Sequence, residues 1–284
     1  MLWIPKSGPI TEVKNTTNVG GVVSGAGPGT VLTAGAPANT DGAVTEIISA
    51  ASNVRDSWGI EIAILGTGSS AVASQACADI LVGGATDDVL IAALICGGAV
   101  AGVSNSTSGP GQKYFFPLHI PAGVRIAATL SSVRGAVNAK ILIRLYGGGL
   151  PPFRVGRKVT TYGSQINNSS GQAITVTASG GAASVTQLSA STSEDHFAFI
   201  PGFQVSGDTT TTQRIINLGI GIGASTEQRI GTWWIRSNAD EDTGGVWPSR
   251  PALINVPSGT RLTMLASNSG TNDSGYDGLI YAVS

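Results

Sequence analysis

The chain has 284 residues, a formal net charge of −1 from 16 Lys and Arg against 17 Asp and Glu, 42% apolar residues and only 12% charged ones. The apolar share is enough for a packed core, which excludes disorder by composition, while the balanced charge supplies no footprint for a phosphate backbone and so argues against nucleic acid as a partner. Forty glycines without a G-X-Y period exclude collagen, and two cysteines exclude a disulfide scaffold.

From the start, Met1 to Ile10 lacks the apolar run of a secretory signal. Residues 6–41 are rich in Gly, Thr, Pro and Asn and hold too few large apolar residues to pack alone, so residues 1–41 are expected to form an extended arm, loosely ordered or laid on a neighbouring subunit. Short alternating or wholly apolar runs then follow, bounded by Gly, Pro, Asn and Ser. They predict strands at Ile60–Leu65, Ile80–Val82, Val89–Ile95, Arg125–Leu130, Ile141–Tyr146, Ile174–Thr177, Arg214–Ile222, Ile230–Ile235, Arg261–Ala266 and Leu279–Val283. The best helical candidate, Ser69–Ala78, is short and built of small residues. Val89–Val103 is too short and too broken by glycine to cross a membrane and reads as buried strand. Cys77 and Cys96 lie in apolar surroundings without zinc spacing, as small buried hydrophobes or, alternatively, a structural disulfide.

The two halves repeat each other. Ile120-Pro121-Ala122-Gly123-Val124-Arg125-Ile126 matches Val256-Pro257-Ser258-Gly259-Thr260-Arg261-Leu262. Residues 58–66 match the run from 196, 89–98 match 228–237, and 141–147 match 278–284. A tandem duplication of one β domain accounts for this, with sandwiches at 42–149 and 164–284 joined by a linker at 150–163 that carries Pro151-Pro152. In each Pro-x-Gly element, Pro sets the φ of a turn and the chain enters a strand. Ile126, Ala128 and Leu130 then share one face, as do Leu262, Met264 and Ala266, and Arg125 and Arg261 point the other way. These arginines are candidate subunit contacts, or edge charges that blunt aggregation. Of the adjacent Trp233 and Trp234, one should enter the core and its neighbour face outward. An outward Trp stacks on sugar or on protein, and Arg236 nearby favours a protein contact.

Catalytic patterns are sparse. Gly66-Thr67-Gly68-Ser69-Ser70-Ala71, with Asp87 beyond it, matches a dinucleotide fingerprint, but the parallel sheet that motif needs is not indicated and a hairpin loop is the plainer reading. G-x-S-x-G and H-E-x-x-H are missing, and His119 and His196 suit packing or surface positions. Asp79, Asp87, Asp88, Asp240, Glu241 and Asp242 are the acids from which a glycosidase pair would be drawn, and Asn272, Asp273 and Asp277 are calcium candidates without EF-hand spacing. The reading is of a chain that is not an enzyme.

The duplicated strand-turn-strand with I-P-A-G-x-R-I at 120–126, the low charge, the Gly-, Ser- and Thr-rich loops and the N-terminal arm resemble virion structural proteins of tailed bacteriophages. That resemblance implies an all-β fold of two tandem antiparallel, jelly-roll-like sandwiches, and a place in the virion as a tail, baseplate, fibre or capsid-decoration component. It further implies a homo-oligomer that docks on other virion proteins, with no cofactor; the charge, the spacing of ligand residues and the short apolar runs themselves point to no nucleic acid, metal or membrane. Arg125, Arg261, Trp234 and Arg236 are the candidate interface residues. The alternatives are a module that binds carbohydrate, such as a host glycan, or a host receptor, and, behind it, a nucleotide-dependent enzyme.

Overall fold

The computed structural model describes residues 29–66, 75–83, 87–96, 112–133, 135–147, 151, 153–165, 171–178, 182–205, 214–224, 226–237 and 250–284. Every regular element among them is a strand. The first half contains β1 (Thr30–Thr33), β2 (Thr45–Ile48), β3 (Ser57–Gly66), β4 (Ala76–Gly83), β5 (Asp87–Ile95), β6 (Gln112–Phe116), β7 (Arg125–Ser132) and β8 (Asn138–Gly147). The second contains β9 (Val159–Tyr162), β10 (Gln172–Val176), β11 (Ser184–Ser189), β12 (His196–Val205), β13 (Arg214–Ile222), β14 (Gln228–Ser237), β15 (Ala252–Val256), β16 (Leu262–Asn268) and β17 (Asp273–Val283).

The first eight strands form a sheet I of order β1-β8-β3-β6 and a sheet II of order β2-β7-β4-β5. Sheet III runs β10-β17-β12-β15, with β9 also on β17, and sheet IV runs β11-β16-β13-β14. Adding nine to each label of sheets I and II reproduces sheets III and IV, so the chain is a tandem pair of antiparallel sandwiches with jelly-roll strand order. The ladders fix the equivalence residue by residue. Ile80 stands opposite Ala128 in the first half, and Ile220 opposite Met264 in the second, so Ile80 corresponds to Ile220.

Two expected boundaries shift. Thr30–Thr33, assigned to the arm, is strand β1 and pairs with β8, because Leu32 supplies the apolar side chain that the sheet edge buries. Val159–Tyr162, assigned to the linker, is β9; Val159 and Tyr162 are buried and the strand extends the same edge of β17 that β10 occupies. The helical candidate fails where it is described, since 76–78 lie in β4 with all three residues buried.

The Pro-x-Gly turns are built alike. Gly123 and Gly259 both adopt left-handed φ, 76° and 80°, which is where a residue with a Cβ is strained. Gly123 N–H donates to Asn53 O and Gly259 N–H to Thr192 O, while the Asn53 amide and the Thr192 hydroxyl reach Pro121 O and Pro257 O at 2.8 and 2.9 Å.

Side-chain burial shows how the halves join. On β8 burial alternates, with Ala139, Ile141, Ile143 and Leu145 inward. On β17 the run Leu279–Val283 is buried throughout, because sheet III is covered on both faces. Ile280 and Ala282 pack with Phe199 and Leu218 inside the second sandwich, whereas Leu279, Tyr281 and Val283 belong to the same core as Ile60, Leu94 and Phe116 of the first. Sheet III therefore caps the open side of the first sandwich, where edge strands β5 and β6 lie. The Tyr281 hydroxyl accepts from Ile95 N–H at 2.8 Å and donates to Ala93 O at 2.9 Å. Gln112 donates to Phe203 O, Thr161 to Ala92 O and Gln75 to Asp277 Oδ2, all within 2.9 Å. Edge groups that would otherwise invite pairing are satisfied within the chain.

Candidate functional site

Arg125 and Arg261 occupy equivalent turn-to-strand positions and make equivalent ion pairs. Arg125 Nη2 donates to Asp87 Oδ2 at 2.7 Å, and Arg261 pairs with Glu227 while its Nε donates to Gln187 Oε1 at 2.8 Å. Asp87 opens β5 and Glu227 immediately precedes β14, so each arginine ties a hairpin to the strand after the Pro-x-Gly turn. Both guanidinium groups are thus engaged inside the chain.

Trp233 and Trp234 divide as strand alternation requires. Trp233 is buried in the second core, its indole N–H on Arg250 O at 3.2 Å, and Trp234 is 62% exposed on edge strand β14, opposite Asn217. Arg236 stands opposite Ile215 in the same ladder. Ile215 on β13 and Leu253 and Ile254 on β15, an edge strand among the described residues, are also exposed, so this end of the second sandwich carries exposed apolar side chains.

A second feature lies beside the joint. An open cleft of about 350 Å³ is lined by Asp56, Ser57, Trp58, His119, Pro151, Val155 and Arg157. Ser57 and Trp58 come from the start of β3, His119 from the segment between β6 and the Pro-Gly turn, and Arg157 from the connection into β9. That connection is held on the first sandwich by a parallel bridge between Leu118 and Gly156 and by His119 N–H to Gly156 O at 2.9 Å. Trp58 packs edge-on to Phe153, and Phe115 and Tyr146 complete an aromatic cluster on the outer face of sheet I. The cleft offers an indole beside a carboxylate, an imidazole and a guanidinium; Asp56 already accepts Ala122 N–H at 2.8 Å. The proline-rich joint signalled its backbone in the sequence, but nothing there signalled that Trp58 and Arg157, a hundred residues apart, would meet.

The remaining sequence candidates separate. Asp79 sits at a bulge of β5, its Oδ1 accepting Ala93 N–H at 2.7 Å, and burial raises its carboxyl. Asp277 turns into the joint toward Gln75, and Asn272 Oδ1 accepts Ala178 N–H, so these two calcium candidates serve different contacts. His196 is buried against Tyr162, whereas His119 is exposed at the cleft. Cys77 and Cys96 are buried thiols, raised by desolvation. Gly66 ends β3, whose ladders are antiparallel; residues 67–71 of the G-x-G-x-x-A match, Asp240, Glu241 and Asp242 lie outside the described residues.

No protein-family model matches the chain, and no curated protein matches it. Among solved structures, it is similar to a peptide-N(4)-(N-acetyl-beta-D-glucosaminyl) asparagine amidase, with a TM-score of 0.34 and 10% identity over 89% of this chain and 96% of that one. PNGF-II matches with a TM-score of 0.34 and 8% identity over 89% of this chain and 59% of that one. A subviral particle of infectious bursal disease virus matches with a TM-score of 0.24 and 11% identity over 79% of this chain and 56% of that one. At TM-scores under 0.5 none of these likenesses assigns a fold or a function to this chain. Because an amidase stands among the similar structures, the exclusion of an enzyme drawn from missing motifs is corrected: it does not follow from the sequence.

Proposed function

We propose that the chain is a structural virion protein of a tailed bacteriophage, a tail, baseplate, fibre or capsid-decoration component that assembles with itself and docks on other virion proteins. The observation that carries the assembly reading is the pair of strands that are edges among the described residues of the second sandwich, β14 and β15, with exposed Trp234, Leu253 and Ile254. Two fused sandwiches form one block whose internal edges are capped, which leaves a defined outer edge for association. The I-P-A-G-x-R-I turn, present in both halves, supports the virion assignment by resemblance. The test is mass spectrometry on gradient-purified phage particles. The chain is expected in the particles at a fixed ratio to other virion proteins; its presence in infected-cell lysate but absence from particles overturns the assignment.

The cleft at the joint supports a second reading, a module that binds host glycan, since an indole beside hydrogen-bonding charged groups suits a sugar ring. Glycan-array binding lost on Trp58→Ala would support it, and an array without signal for the intact chain would remove it.

A further inference from the structure

The duplication allows each residue of the first sandwich's capped side to be compared with its counterpart in the second. Cys77 pairs with Ser131 and Ile95, and Asn217 pairs with Ser267 and Trp234, so Trp234 stands where Ile95 stands. By the same ladders Ile215 takes the place of Gln75, each one residue before the first pair of its ladder, Ala76↔Ser132 and Ile216↔Asn268. Ile254 takes the place of Leu118, two residues before the Ile120 and Val256 that face Ser57 and His196.

Gln75, Ile95 and Leu118 are the residues the chain covers. Gln75 donates to Asp277, Ile95 N–H donates to Tyr281, and Leu118 is bridged by Gly156, and all three are buried. Their counterparts Ile215, Trp234 and Ile254 are 53%, 62% and 37% exposed. Three covered positions recur as three exposed apolar ones, one of them a tryptophan. A solvated edge favours charged residues instead.

We propose that the β14–β15 edge receives a second copy of this chain, which presents the outer face of its sheet I in the way sheet III caps the β5–β6 edge within the chain. On that face Ala63 and Leu142, both half-buried, correspond to Gly202 and Leu279 of the internal joint, while Glu61 and Arg144, ion-paired with each other, correspond to Ile200 and Tyr281. The contact is heterologous, edge to face, so it propagates head to tail and closes into a ring or extends as a filament. The inference rests on the reading that the chain self-assembles and names the two surfaces that do it.

The experiment is sedimentation velocity on the full-length chain. The intact chain is expected to form oligomers that grow with concentration. Ile215→Glu combined with Trp234→Glu removes the edge, and Ala63→Arg, with Leu142→Lys as its alternative, removes the face. Each variant alone is expected to be monomeric with a melting transition like that of the intact chain. Mixing edge and face variants leaves one good edge and one good face per pair, so the mixture is expected to give dimers and nothing larger. An intact chain that stays monomeric overturns the self-assembly reading together with this inference. Oligomers that survive the edge variant, or folded variants that give no dimer on mixing, overturn this inference alone.

Discussion

Asp56 and Asp195 perform the same task in the two halves: Asp56 accepts Ala122 N–H at 2.8 Å, and Asp195 accepts Ser258 N–H at 2.7 Å. Each carboxylate reaches the second residue of a Pro-x-Gly turn and fixes the direction in which the chain enters β7 or β16. A hydrogen bond to a charged acceptor contributes about 1.5 kcal/mol, and less where water competes. Asp56→Ala and Asp195→Ala are each expected to cost about 1 kcal/mol, read as a lower midpoint in urea. The two effects should add, since the turns belong to different sandwiches.

Tyr281 is the joint's most exacting contact. Its hydroxyl is shared between Ala93 O and Ile95 N–H, edge groups of the first sandwich, and its ring packs edge-on to Tyr114 and Phe116 at 5.7 and 5.8 Å. Tyr281→Phe keeps the ring but leaves two buried backbone groups without partners, for a loss of about 2 kcal/mol. Denaturant unfolding of variants that keep only Trp58 or only Trp233 of the five tryptophans, followed by fluorescence, tests where the loss falls. The midpoint should drop in both, because Tyr281 of the second half is part of the first core; a drop confined to one would show that the joint does not couple them.

The long strands were legible because their apolar residues alternate or run unbroken: the reading Arg214–Ile222 coincides with β13, and Leu279–Val283 with the buried end of β17. The four-residue strands were not. β1, β2 and β9 have four residues each and bury only one or two apolar side chains apiece, which is too little period to read. Trp234 was legible as an outward residue from its neighbour alone. Its kinship with Ile95 was legible too, since the match of 89–98 to 228–237 sets the two at one offset; hidden was the bulge at Ala92 and Ala93, which changes the spacing between the halves from 140 at Ile91 and Gly231 to 139 at Leu94 and Trp233. A bulge is set by backbone hydrogen bonding, here Asp79 to Ala93 N–H, and leaves no apolar signature. Likewise the arginines of the repeat were visible, but not the acids they pair with, thirty-four and thirty-eight positions away.

That bulge predicts a stabilising change. Ala93 has φ of 53°, a left-handed conformation that costs an L-residue about 1 kcal/mol or more. Glycine adopts it without that strain but loses more entropy on folding. Ala93→Gly is expected to raise stability by about 0.5 kcal/mol, seen as a small rise in melting temperature. A fall would mean that the Ala93 methyl, which packs on the first core, outweighs the backbone strain.

His196 gives the chain a pH dependence of its own. The ring is buried between Tyr162 and Phe199, with Tyr162 Oη 2.8 Å from Nε2, and burial holds its pKa below the ordinary value near 6.5. The nearby charges divide: Glu194 and Asp195 favour the protonated ring, Lys158 opposes it, and desolvation prevails. A folded-state pKa below the unfolded one means that the unfolded chain binds the extra proton first. His196 therefore contributes stability that is fully present above about pH 6.5 and is lost as pH falls through the folded-state value. Glu194, held below the carboxylate range by its hydrogen bond from Lys158, also loses its contribution on acidification, but only from about pH 4.3 downward. The two windows separate cleanly. Urea midpoints measured from pH 7.5 to 5 should decline for the intact chain and stay nearly level for His196→Gln, whose amide keeps a polar group beside Tyr162 without titrating. An equal decline in both would place the titrating group elsewhere.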